Sequence, residues 1–101
     1  MTTPLNILLV RPWTSDTERL RTSLRTAGLD VHITRVDFPA ALYAALTWSA
    51  FDAVIYDAAT PGISRDDLAN ALRERSPATP VIELGDDIGV RVAAILHARR
   101  N

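Results

Sequence analysis

Asp57 ends an apolar run, Ala53-Val54-Ile55-Tyr56, and Pro61-Gly62 follows four residues on. A carboxylate there can cap the turn with its own side chain, or meet a cation brought by a neighbouring segment. Arg11 is such a cation. It follows a second apolar run, Ile7-Leu8-Leu9-Val10, and precedes Pro12 and Trp13. If both runs are strands of one parallel sheet, Arg11 and Asp57 stand at its carboxyl end, where Arg11 is either a solvated strand-end arginine or a partner for a carboxylate. Arg11 and Trp13 would also make an interaction hot spot, or Trp13 a lid on the core. Asp86 and Asp87 follow a third apolar run, Val81-Ile82-Glu83-Leu84, and Gly85. Helix capping explains them most simply, and service at a helix N-terminus explains Asp66 and Asp67.

Other chemistries lack their parts. There is no cysteine, which excludes disulfides and thiolate metal sites. His32 and His97 are isolated and read as surface or hydrogen-bonded histidines rather than a metal pair. No Gly-rich phosphate loop, nucleophile elbow or metal triad is present. The chain does not read as an enzyme.

The elements that must position these residues can be read from the pattern. A short apolar run over 6–10 predicts a strand buried on both faces, as in a parallel sheet, and runs over 52–57 and 81–84 predict a third and a fourth strand. Residues 31–36 alternate at first and are mostly β-branched, which predicts a strand near an edge. Ser15 and Glu18 form a capping box before an amphipathic helix with Leu20, Leu24 and Ala27 on one face, stopped by Gly28. Asp37 is expected to cap a second helix, with Pro39 in its first turn and Leu42, Ala45, Leu46 and Ser49 on one face. Ser64 and Asp67 open a third helix with Leu68 and Leu72 inward. Asp86 or Asp87 opens a fourth, with Ile88, Val92, Ile95 and Leu96 on one face and Arg99 and Arg100 at its negative end. Trp48 and Phe51 read as packing residues. Strict β-α alternation means parallel strands joined by right-handed crossovers, with helices on both faces.

Length and composition agree with one domain over 1–101. The chain has 101 residues, 48% hydrophobic and 23% charged, with net charge -1. All 11 basic residues are arginine. No basic block suggests nucleic acid, no apolar run suggests a membrane span, and no signal peptide is recognisable, so the cytoplasm is the expected location.

Ile7-Leu8-Leu9-Val10, Phe51-Asp52-Ala53-Val54-Ile55-Tyr56-Asp57-Ala58-Ala59-Thr60-Pro61-Gly62 and Pro80-Val81-Ile82-Glu83-Leu84 together resemble strands one, three and four of the receiver domain of two-component response regulators. The resemblance runs from Leu5 to about Arg99. It implies a flavodoxin-like α/β/α sandwich with four parallel strands in the order 2-1-3-4. It also implies that Asp57 holds the phosphoacceptor position and that the Ala59 carbonyl falls where the family offers Mg²⁺ a backbone ligand. Four departures follow from the same comparison. Arg11 and Pro12 stand where the family carries two acids, and Gly85 stands where it carries Ser or Thr. The family's lysine has no counterpart, and the fifth strand and fifth helix are missing.

Phosphoryl transfer needs positive charge on the transferred oxygens, and Mg²⁺ needs several oxygen ligands. An Arg11–Asp57 pair would take the metal's place. The expectation is therefore a pseudo-receiver in two-component signalling that works through protein contacts, with a histidine kinase or an output domain as partner and no cofactor. The alternative is a working phosphoacceptor at Asp57, which would need Mg²⁺. Losing the fifth strand and helix leaves the last strand as an open edge and bares the sheet beside the first helix. Two arrangements relieve this. The last helix folds back over that face, or a second copy covers it. The expectation taken is a homodimer through the C-terminal region, with Ile88, Val92, Ile95 and Leu96 as contact residues.

Overall fold

Four parallel strands, β1 (Leu5–Val10), β2 (Val31–Val36), β3 (Ala53–Tyr56) and β4 (Val81–Glu83), form one sheet in the order β2-β1-β3-β4. The computed structural model describes residues 4–12, 17–85 and 87–100, with 98–100 as backbone only. Helices α1 (Glu18–Thr26), α2 (Pro39–Trp48), α3 (Arg65–Arg75) and α4 (Ile88–Arg100) alternate with the strands. The predicted order and alternation are therefore observed. Among the described residues, no helix is long and apolar enough to cross a membrane.

The sheet divides two cores through its period of two. Leu8, Val10, Val54 and Tyr56 point to one face, where Leu42 and Leu46 of α2 and Leu68, Ala71 and Leu72 of α3 meet them. Ile7, Leu9, Ala53, Ile55 and Ile82 point to the other, against Leu20 and Leu24 of α1 and Ile88, Val92 and Leu96 of α4. β1 is inner and takes partners on both sides, with Val10 opposite Val36 and Tyr56. This is why its last four residues are all apolar and all buried.

Helix ends explain much of the remaining sequence. α1 stops at Gly28, whose φ of 83° is the left-handed conformation glycine adopts without strain. The Leu29 N–H donates to the Leu24 carbonyl at 3.0 Å and the Gly28 N–H to the Arg25 carbonyl at 2.9 Å. That is a Schellman closure, and Leu29 packs into the core that holds Leu24. Ser15 lies outside the described residues. The helix starts at Glu18 with Thr17 as N-cap and no side-chain cap.

α3 has the predicted capping box. Ser64 Oγ accepts from the Asp67 N–H at 3.0 Å, and Asp67 Oδ2 accepts from the Ser64 N–H at 3.0 Å. Ser64→Ala is expected to lower stability by about 1 kcal/mol, read from the midpoint of denaturant unfolding. No change would mean that this box is not stabilising α3.

Three expectations are corrected here. Asp37 does not cap α2. Phe38 is the N-cap, extended at φ -146 and ψ 156, and no side chain caps the end. Pro39, preset to a helical φ, fixes the start one residue later than expected, and the Phe38 carbonyl takes the first helical bond, from Leu42 at 3.1 Å. The Asp37 carbonyl meanwhile lies close against Gly62, at a place where any Cβ would collide with it. Trp48 is not a packing residue. It stands two residues past buried Leu46 and so faces away from the core, 85% exposed, while Phe51 is buried as expected. Ser49 also faces solvent, just beyond the helix.

The third correction concerns α4. Ile88, Val92 and Leu96 are buried in the chain's own core, with Ile95 packed beside them, so they do not form a face for a second copy. α4 lies alongside α1 and shares its face of the sheet. The layers are thus balanced, two helices on each side. Close approach is possible because Gly89 presents only hydrogen to the Ser23 carbonyl of α1. The β4 edge is also less open than expected. Arg91 Nη1 donates to the Glu83 carbonyl at 3.0 Å, and the Arg65 guanidinium pairs with the Glu83 carboxylate. Charged groups placed this way discourage another strand.

Candidate functional site

The site grows from the pairing of β1 with β3. Val10 and Tyr56 are in register, so the residues that follow them, Arg11 and Asp57, leave the carboxyl end of the sheet together. The Asp57 N–H donates to the Val10 carbonyl at 2.9 Å and the Arg11 N–H to the Val36 carbonyl at 3.1 Å. Both backbones are therefore fixed. Open parallel sheets form their sites at this end.

The expected ion pair is present. Arg11 Nε lies 3.2 Å from Asp57 Oδ2, with the two side chains 21% and 17% exposed. That shelter matters, because a partly buried pair is screened far less than a surface one. The other carboxylate oxygen, Oδ1, accepts from the Ala59 N–H at 2.9 Å. Asp57 thus caps its own turn as well as pairing with Arg11, and each carboxylate oxygen has a partner.

Thr60 was not singled out in the sequence, yet it holds this turn. It is the buried polar residue of the core among the described residues, and its N–H donates to the Asp57 carbonyl at 3.0 Å. Its hydroxyl lies 2.7 Å from that carbonyl and 3.3 Å from that of Val10. The available signal was a threonine three residues after an Asp and just before Pro-Gly, the place for a hydroxyl that closes a turn. Tyr56 fixes the far side of the loop, its hydroxyl donating to the Ile63 carbonyl at 3.1 Å.

Pro12 is half-buried after Arg11, while Trp13 lies outside the described residues. Gly85 shares an open cleft of about 640 Å³ with Arg11, Arg19, Leu20 and Ile88. A Cβ at Gly85 would meet only Asp87 Oδ1 at 3.6 Å and Arg91 Nη1 at 3.7 Å, ordinary contacts. The missing hydroxyl is therefore not imposed by space. Asp86 lies outside the described residues, and Asp87 sits 4.0 Å from Arg91 one turn along. His32 and His97 are exposed on β2 and α4.

Mg²⁺ favours an octahedron of oxygens that includes carboxylates. Among the described residues no three His, Cys, Asp or Glu side chains gather to hold a metal ion. The cation beside the Asp57 carboxylate is instead the Arg11 guanidinium, which is all donor and already positive. The donor set present does not fit the ion.

A parallel sheet ordered 2-1-3-4, flanked by two helices on each face, with an acid at the end of its third strand, is a flavodoxin-like fold of the receiver type. The chain is similar in structure to the receiver domain of the sensor histidine kinase PA1611 from Pseudomonas aeruginosa PAO1, which was solved with a magnesium ion coordinated in its active-site cleft. The TM-score is 0.64 at 20% sequence identity, over 98% of this chain and 76% of that one. No family model matches the sequence, and no curated protein matches it.

Proposed function

We propose that this chain is a pseudo-receiver, a receiver-like signalling module of a two-component system that acts by binding proteins rather than by accepting phosphate. The observation that carries this reading is the double engagement of Asp57, with Arg11 on Oδ2 and the Ala59 N–H on Oδ1. A phosphoryl group arriving at Asp57 needs a free carboxylate oxygen as nucleophile and a cation on its own oxygens. Here the cation occupies the nucleophile. The partners are proteins, a histidine kinase or an output domain, met in the cytoplasm. No Mg²⁺, nucleic acid or membrane is needed, and the domain is not an enzyme.

The test is incubation with Mg²⁺ and acetyl phosphate followed by intact mass measurement, with Asp57→Asn alongside. The expected result is no added phosphoryl unit on a protein whose circular dichroism shows it folded. A single phosphoryl gain, lost in Asp57→Asn, would make the chain a working receiver and overturn the proposal.

A further inference from the structure

The cleft of about 640 Å³ at the carboxyl end of the sheet reaches beyond the Asp57 pair, between α1 and the start of α4. Its apolar part is made by buried Leu20 and Ile88 with half-buried Leu84. Its charged part is mainly basic. Arg11 brings one guanidinium, steadied by Asp57 Oδ2 at 3.2 Å from its Nε, and Arg19 brings a second from the exposed side of α1. The acids nearby already have cations beside them. Glu18, which also lines the cleft, lies 3.9 Å from Arg21, and Asp87 lies 4.0 Å from Arg91. Arg19 makes no ion pair among the described residues, so the cleft keeps a surplus of positive charge.

Gly85 is an independent pointer to a ligand. Glycine is chosen where the backbone needs a positive φ, where packing leaves no room for a Cβ, or where a bound molecule comes close. Among the described residues the positive φ belongs to Gly28, so the first reason does not apply to Gly85. Nor does the second, since a Cβ there would meet Asp87 Oδ1 at 3.6 Å and Arg91 Nη1 at 3.7 Å, both ordinary contacts. The third reason remains, and Gly85 lines the cleft.

We propose that this cleft binds a small amphipathic anion, an oxyanion head on a ring-sized apolar body. The head lies between the guanidinium groups of Arg19 and Arg11, whose forked donors suit carboxylate, phosphonate or phosphate oxygens. The body rests on Leu20 and Ile88 and passes close to the bare backbone of Gly85. Open parallel sheets take their ligands at this end, and the volume falls within the roughly 300–1,000 Å³ of small-molecule sites. Binding of this kind transfers no phosphoryl group, so it stands or falls apart from the reading of Asp57.

Titration of the ¹⁵N-labelled full chain with phenylphosphonate, followed by amide shifts in two-dimensional NMR, tests this. The carbon–phosphorus bond of that probe cannot pass phosphate to Asp57. Saturable shifts are expected at Arg19, Leu20, Leu84, Gly85 and Ile88, with a dissociation constant on the order of 1 mM for so small a molecule. Inorganic phosphate, which has a head and no body, should bind at least about tenfold more weakly. Arg19→Glu and Gly85→Leu are each expected to weaken phenylphosphonate by about tenfold or more. Arg75→Glu makes the same change of charge at an exposed site on α3 and should leave binding unchanged. All three sites are exposed, and the spectra show directly whether each variant is folded. Absence of saturable shifts up to roughly 20 mM probe would overturn the proposal. Binding that both cleft variants leave intact, or that Arg75→Glu weakens equally, would overturn it as well.

Discussion

Gly89→Ala is expected to destabilise the protein, against the sign that helix propensity alone assigns. Gly89 is the second residue of α4, and within a helix alanine is normally better than glycine by up to about 1 kcal/mol. A Cβ at this position, however, would fall within van der Waals distance of the Ser23 carbonyl oxygen and 3.3 Å from Ala27 Cβ. The obstacle is backbone, so α1 or α4 must move. Such overpacking costs about 1–3 kcal/mol, which outweighs the propensity gain over most of that range. Gly89→Leu should lose about 3 kcal/mol or more, lowering the melting temperature by roughly 12–24 °C in a domain this small. Val90→Ala, next along the helix but 70% exposed, should change stability by no more than about 0.5 kcal/mol. Thermal unfolding followed by circular dichroism would decide. If Gly89→Ala proved stabilising, α4 would not be docked on α1 as described.

Arg11→Asp is expected to turn a protein indifferent to Mg²⁺ into one whose stability depends on it. Without the ion, the variant loses the Arg11–Asp57 pair and sets two carboxylates side by side. The cost is roughly 1–3 kcal/mol, between the values for exposed and buried pairs. With the ion, the same two carboxylates become ligands, and Mg²⁺ at ten times its dissociation constant returns about 1.4 kcal/mol. The melting temperature of the variant should therefore rise saturably on titration with Mg²⁺ and fall again with chelator. Wild type should show no such dependence. Saturable stabilisation of wild type by Mg²⁺ would sink the view that Arg11 takes the ion's place. Failure of a folded Arg11→Asp to respond would mean that more than the lost acid separates this site from a metal centre.

The sequence carried the sheet and the ion pair well, for physical reasons. Strands buried on both faces have no choice but to be apolar, so Ile7-Leu8-Leu9-Val10 and Ala53-Val54-Ile55-Tyr56 were unambiguous. Once those two are neighbours, parallel register puts Arg11 beside Asp57, and the 3.2 Å contact follows. Ser64 and Asp67 were legible because a capping box is local chemistry. What escaped was which face each helix covers. The apolar stripe of α4 suits either side of the sheet or a second molecule, and the clue, Gly89, has meaning only when Ser23 is known to lie opposite. In α2 the difficulty was the opposite one. A helix apolar all round has no sequence pattern to show which side is wet, so Trp48 looked like core. Thr60 was missed because its role lies in hydrogen bonds to Asp57 and Val10, and the second of these is 50 residues away along the chain.

The docking of α4 on α1 also fixes when during synthesis this protein can fold. Ile7 and Leu9 are made early in this domain, and Val92 and Leu96, which help to cover their face of the sheet, are translated more than 80 residues later. A nascent chain that has emerged only as far as β4 has its α2–α3 side closed and its other side wet, with Ile55 and Ile82 still bare beside α1. Such a chain is a ready substrate for a chaperone, and a stalled or prematurely terminated product would be one for a protease. Cellular quality control would thus read the arrival of α4 as the closing of the second core.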